Sequence, residues 1–144
     1  MNKISPLNDT AYKTLCKAQR TDTKDWIEGY YKYVNGEHQI VLKDKLDSTL
    51  GEKDVYSIIP ETLCRFTNVV DSNGLKIFEN DTGTVMTPCA AFPLENSKIY
   101  WDEENFCWAF ENYFTYINST KIIKEPLSKA KFIEISGNTF DIVN

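Results

Sequence analysis

The sequence predicts a mainly β protein, a β-rich α+β one at most, with antiparallel strands in a small sandwich or barrel. Three observations predict it. Clusters of Asn, Asp, Gly, Ser and Pro interrupt the chain about every 8 to 12 residues. The runs between them are rich in Val, Ile, Tyr, Phe and Trp, which suit a pleated, half-buried surface. No strand-like run is followed by a helical pattern long enough to build a βαβ unit. The 144 residues fit one domain or two very small ones, and three Trp, eight Tyr and eight Phe are enough to fill a core with aromatics left over. The chain reads as a β-rich segment over 1–59, with a loose polar arm over 1–9, and a second β-rich region over 60–144, packed as one compact unit.

Residues 10–20, TAYKTLCKAQR, are ambiguous. Ala11, Tyr12, Leu15 and Cys16 fall at helical spacing, while Thr14, Cys16 and Ala18 alternate as in a strand; periodicity slightly favours the helix. TDTKD turns the chain. WIEGYYKYV and QIVLK flank NGEH, and Asn35-Gly36 suits the positive φ angles of a type I′ hairpin turn. LDSTLGEKD reads as a loop, VYSII as a strand ending at Pro60, and ETLCRFTNVV as the next strand. DSNG then closes a hairpin onto LKIF. TPCAAFPLEN is a Pro-flanked connection. SKIYWD and FCWAFENYFTYI form a further hairpin around EEN, the second arm breaking near Glu111-Asn112. STKIIKEPLSKAK holds a short helical turn near Pro126, and KFIEISGNTFDIV ends the chain as strand, Gly-Asn turn and strand.

The second break around LKIF, ENDTG, does not need to reverse the chain. A bulge or tight kink there passes it from one sheet to another, with Phe78 anchoring the corner in the core. Asp81 is expected to accept hydrogen bonds from backbone N–H groups two residues on, as in an Asx turn, and to do no chemistry.

PETLCRFTNVVDSNGLKIFENDTGTV resembles the signature of the YopX-like phage proteins, through Pro60, Glu61, Thr62, Phe66, Thr67, Asp71, Asn73, Gly74, Ile77, Phe78, Glu79 and Asp81. RTDTKDWIEGYY is similar to a second motif of that family at Arg20, Asp22, Trp26, Gly29, Tyr30 and Tyr31, and EISGNTFD to a third at Glu134, Gly137 and Asn138. The three motifs stand in the family's order and span roughly residues 12–141. Asn68 and Asn80 stand where the family usually has Gly, and Asn is the non-Gly residue best suited to positive φ. The connection from Thr87 to Asn96 is longer than the family's. The resemblance implies a strand over 13–20, an SH3-like barrel over 60–144, a phage or prophage source and homo-oligomerisation; it implies no accepted reaction.

Composition bounds the function. A net charge of −5 argues against a non-specific grip on nucleic acid, which needs Lys and Arg to displace counterions. MNKISPLNDT has no apolar signal region, and no run is long and apolar enough for a membrane span, so the expectation is a cytoplasmic protein with no membrane partner. Cys16, Cys64, Cys89 and Cys107 are too dispersed for a metal site, and the single His38, beside the Asn-Gly turn, is expected to face solvent. Cys107, between two aromatics, reads as a core residue. No P-loop, dinucleotide fingerprint, GxSxG or HExxH occurs, so no cofactor and no catalytic residue is expected.

One segment has electrostatic character. In residues 95–112, Glu95, Asp102, Glu103, Glu104 and Glu111 against Lys98 leave −4, whereas in 113–131 Lys121, Lys124, Lys129 and Lys131 against Glu125 leave +3. Such a juxtaposition suits a steered polar interface. The candidate partner-binding residues are therefore Trp101, Asp102, Glu103, Glu104, Trp108, Tyr113 and Tyr116. The bland alternative is a hairpin with one Trp packed inward and acids that merely solvate its tip. The reading is a non-enzymatic interaction protein that binds a host protein or itself, its acidic surface suited to inhibiting a host defence or nucleic-acid-processing protein. A nucleic-acid-binding module is the alternative.

Overall fold

A computed structural model describes residues 14–42 and 54–141. The arm over 1–9 and nearly all of the loop LDSTLGEKD lie outside the described residues. The chain divides into two units, Met1–Phe66 and Thr67–Asn144, each built of antiparallel strands.

In the first unit β1 (Leu15–Gln19), β2 (Trp26–Val34), β3 (Glu37–Leu42), β4 (Val55–Ser57) and the start of β5 (Cys64–Val70) pair in the order β4-β3-β2-β1-β5. β1 is a strand, against the slight helical periodicity of its sequence. It is bonded to β2 on one side and β5 on the other, and its alternate residues Cys16 and Ala18 are buried. Tertiary pairing decides where local spacing is ambiguous. Asn35 (φ 51°) and Gly36 (φ 82°) make the expected turn between β2 and β3. Ala18, Ile40 and Ile58 form the core, with Ile27, Tyr31 and Leu63 packed on it. Gly29 has no alternative: a Cβ there would lie 2.1 Å from the Val41 carbonyl oxygen. Trp26 is half-buried with the Lys17 ammonium 4.7 Å from its ring centre.

From Thr67 onward β5 belongs to the second unit, where it pairs with β6 (Lys76–Phe78). β7 (Asp81–Met86), β8 (Leu94–Asp102), β9 (Cys107–Tyr116), β10 (Ser119–Pro126) and β11 (Phe132–Asn138) form a separate five-stranded sheet in the order β10-β9-β8-β7-β11. Its core is Ile77, Val85, Leu94, Ile99, Phe110, Leu127 and Ile133. The mainly β class is as expected, but the sheets are open: no closed barrel forms among the described residues. Closure would need β11 to offer its outer edge. That edge is already taken, because Ser72 exchanges bonds with Ile133 (2.8 and 3.1 Å) and the Ile135 N–H donates to Asp71 (3.0 Å).

The chain does change sheets after Phe78. Phe78 is buried and Asn80 takes φ 69°, as a residue standing in for Gly should. Asn68 kinks β5 in the same way at φ 68°. Asp81, 1 % exposed, holds the corner differently from an Asx turn. It accepts from the Phe78 N–H three residues earlier (2.7 Å) and from the Asn138 side-chain amide (2.9 Å). The Asx role belongs to Asp71, which accepts from the Asn73 and Leu75 N–H groups (both 2.9 Å) while Gly74 adopts φ 85°. Asn73 in turn reaches Glu134 at 3.4 Å.

Two further expectations change. β9 runs unbroken past Glu111-Asn112, because the buried Asn112 amide donates to the Glu95 carbonyl (2.7 Å) and to Ser97 Oγ (2.9 Å). Gly137-Asn138 is not a hairpin turn but the end of β11, after a register shift between Ile135 and Gly137; residues 139–141 then turn on the Asn138 and Asp141 side chains. The short helical turn near Pro126 is a 3-10 turn over Leu127–Lys129.

Asp81→Ala is expected to destabilise the protein by about 2–4 kcal/mol in urea unfolding, since buried N–H donors lose their acceptor; Asn80→Gly should be neutral or slightly stabilising. A second expectation concerns pH. Burial pushes the Asp71 carboxyl up, but the N–H groups of Ile135, Leu75, Asn73 and Gly74 outweigh it and hold the group below the ordinary aspartate range. Its stabilising contribution is therefore complete above the unfolded-state value and is lost as pH falls through the folded one. Asp71→Asn should flatten the acid limb of a plot of unfolding free energy against pH.

Candidate functional site

β8 and β9 pair through Trp101↔Trp108 and Asp102↔Cys107, leaving a tip over Glu103–Phe106. Asp102 organises this tip. Its carboxylate accepts the Glu104 N–H (3.0 Å), the Asn105 N–H (3.2 Å) and the Asn105 side-chain amide (2.8 Å). The Asn105 amide, then the two backbone donors and the Lys124 charge, hold the Asp102 carboxyl below its ordinary value against a smaller desolvation effect. Asp102 is thus a turn-holding carboxylate, whereas Glu103 and Glu104 stand exposed.

Lys124 reaches the same place from β10. With Tyr100, Trp101, Asp102, Glu103, Glu104 and Asn105 it lines an open polar cleft of about 550 Å³. Burial first, then the charges of Asp102 and Glu111, raise the Tyr100 phenol above its ordinary value, so it stays a neutral donor. The acidic hairpin and part of the basic strip therefore meet, as the charge pattern predicted.

The seven predicted partner-binding residues do not form one patch. Trp101 and Trp108 meet edge to face on one side of the sheet, ring centres 5.2 Å apart, and Trp108 packs on the core. Tyr113 lies on the other face, opposite Ile122. Tyr116 is at the far end of β9, eight residues from Trp108, which is about 27 Å along a strand. There it lines an apolar groove of about 320 Å³ with Ala90, Phe92, Phe114 and Ile123.

Sequence reasoning missed Phe106. It sits at φ 52°, where a non-Gly aromatic is strained, and it is 80 % exposed. The signal is present in the sequence: Phe106 directly follows the turn residues EEN, where FCWAFENYFTYI reads as the following strand.

Other chemistry-bearing residues are accounted for separately. Cys16 and Cys64 are buried, Cys107 is half-buried, and Cys89 is exposed with its thiol on Glu125. His38 is half-buried, bonded to the Tyr31 hydroxyl and packed 4.7 Å from the Tyr33 ring, where solvent exposure was expected. Among the described residues, no group of three His, Cys, Asp or Glu could hold a metal ion, and no helix is long and apolar enough to cross a membrane.

The fold and tip define a mainly β protein of two units that presents a preformed acidic and aromatic hairpin. Comparison with protein-family models, with curated proteins and with solved structures finds no match.

Phe106→Gly is expected to raise the unfolding midpoint slightly, because Gly adopts the left-handed conformation freely and no buried surface is lost. Asp102→Ala should lower it, while Glu103→Ala and Glu104→Ala leave it unchanged. Thermal denaturation followed by circular dichroism distinguishes the three.

Proposed function

We propose that this chain is a non-enzymatic interaction protein of phage origin, of the YopX-like kind that its sequence resembles. In this reading it works in the host cytoplasm and engages a host protein through the tip of the β8–β9 hairpin. The observation that carries the reading is Phe106. An apolar ring that is 80 % exposed on a strained backbone is unfavourable in the free protein. Burial in a partner's pocket recovers the transfer free energy, and the Asp102 turn keeps the ordering entropy of the loop small. Exposed Glu103 and Glu104 beside the ring select a basic partner and speed its approach. A basic, phosphate-binding surface on a host defence or nucleic-acid-processing protein has this chemistry, and the same acids repel nucleic acid itself.

The test is affinity capture from host cells with wild type, E103K/E104K and F106G. A specific partner held by wild type, weakened by added salt, and lost by both variants while neither melts below wild type supports the reading. The same captured set for all three proteins, or retention of labelled DNA or RNA by wild type in a salt-dependent way, refutes it.

A further inference from the structure

The core face of the second unit is left open at one end. Registered pairing of β8 with β9 ends at Lys98↔Glu111, while β9 and β10 stay paired beyond it to Tyr116↔Ser119. Alternation puts Asn112, Phe114 and Tyr116 on the face that buries Phe110. Their cross-strand neighbours Lys121 and Ile123, and Glu125 opposite Phe110, share that face. Phe110 is fully buried, Phe114 is half-buried and Tyr116 is 56 % exposed, so cover runs out along the hairpin. The connection TPCAAFPLEN supplies what cover there is, and it is pinned to β10. Thr87 Oγ1 and Cys89 Sγ donate to the two carboxylate oxygens of Glu125 (2.8 and 2.6 Å). Phe92 then meets Phe114 edge to face, ring centres 5.3 Å apart. Between connection and hairpin lies the groove of about 320 Å³. Small-molecule sites run from about 300 to 1,000 Å³, so its occupant is small.

We propose that this groove binds a small aromatic carboxylate, a ring or a fused ring pair carrying a single acid group. The rings of the lining select the body of the ligand. Phe92, Phe114 and Tyr116 all face the groove, and a flat ring replaces water against them by stacking or edge contact. Phe92 is 42 % exposed, so apolar surface remains to be buried.

Charge selects its end. Among the described residues that line the groove, Lys121 alone carries a charge. The carboxylate of Glu125, on the same face of β10, is committed to Thr87 and Cys89. A cation on the wall of an apolar slot favours an acid over a neutral or basic ring of the same shape. An alkyl acid matches the charge but not the rings, and a nucleotide carries more charge than one lysine answers. The groove lies at the opposite end of β9 from the acidic tip, so the proposal is independent of the tip's role.

The test is titration of the full chain with 2-naphthoate, followed by amide shifts in nuclear magnetic resonance spectra. A second readout is the rate at which iodoacetamide alkylates Cys89, the exposed thiol on the groove wall. A dissociation constant on the order of 0.1–1 mM is expected for a site this open, with shifts centred on residues 89–92, 114–116 and 121–123. Cys89 should be protected over the same concentration range. 2-Naphthamide and octanoate should bind more weakly than the acid. Lys121→Met should lower the affinity for naphthoate about fivefold, the order of an exposed ion pair, and bring acid and amide level. Ala91→Trp fills the groove from an exposed position and should abolish binding, with circular dichroism unchanged in both variants. No saturable binding, equal affinity of wild type for acid and amide, tighter binding of octanoate, or naphthoate binding that survives Ala91→Trp would overturn the proposal. So would capture of a protein in the groove by a chain that ignores naphthoate.

Discussion

A carboxyl group that is almost wholly enclosed needs hydrogen-bond donors in place of the water it has lost. Asp81 occupies such a position, and what saturates it is the fold itself. One oxygen takes the N–H of Phe78 across the corner, and the other takes the amide of Asn138 from the end of β11. The end of β6, the start of β7 and the sequence-distant end of β11 are thus fixed to one another around a single side chain. Asn80, between them, completes the joint by donating to the Ile99 carbonyl of β8 and accepting from Thr139. With β6 ending one ladder and β7 beginning another, the corner sets where β7 lies. β7 then sets β8 on one side and β11 on the other. Packing leaves no slack: a Cβ on Gly83 would lie 2.1 Å from the Glu134 carbonyl oxygen.

The same constraint distributes reactivity over the second unit. The DSNG turn takes up the Ile133 N–H and C=O and the Ile135 N–H of β11, and the corner binds the Asn138 side chain at its end. Exposed features lie on both sides of the unit: a groove lined by Val69, Val70, Phe132 and Ile133 beside β11, and at the ends of β9 the Asp102-braced tip and the groove beside Phe92 and Phe114. Lys121, Lys124 and Pro126 on β10 discourage indiscriminate pairing, a common protection of sheet edges.

Much of this was legible in the sequence, and the reasons are local. Asn35-Gly36, DSNG and the kink after Phe78 are encoded by residues within a few positions of one another, and Asn at positive φ announces itself. What was not legible depends on partners far away in the chain. Residues 10–20 are ambiguous by periodicity between helix and strand, and β2 and β5 on either side settle residues 15–19 as strand. Asn112 looks like a strand breaker until Ser97 and the Glu95 carbonyl come within reach. Asp102 was singled out for its charge, yet its geometry spends that charge on Glu104 and Asn105, leaving recognition to its neighbours. The aromatic candidates share a segment but not a face, since alternation sends Trp108 and Tyr113 to opposite sides.

Left-handed backbone gives a finer distinction. Asn35, Asn68, Asn80, Asn96 and Asn118 take most of the positive φ angles outside Gly, and there local preference and fold agree. Lys24 does so in an exposed turn where its side chain is solvated. Phe106 and Ile117 obey neither rule. One is aromatic and the other β-branched, so both are poorly suited to that conformation, and both are largely exposed, so neither is compensated by burial within the chain. They bracket β9, one at each end. Local rules are usually broken where function requires it. An apolar side chain held out on strained backbone is stabilised only by something that covers it. The tip at Phe106 and the turn at Ile117 are therefore the places where residue type, burial and backbone conformation disagree. Their surroundings differ: the exposed Glu103 and Glu104 precede one, and the exposed Tyr116 and Asn118 flank the other.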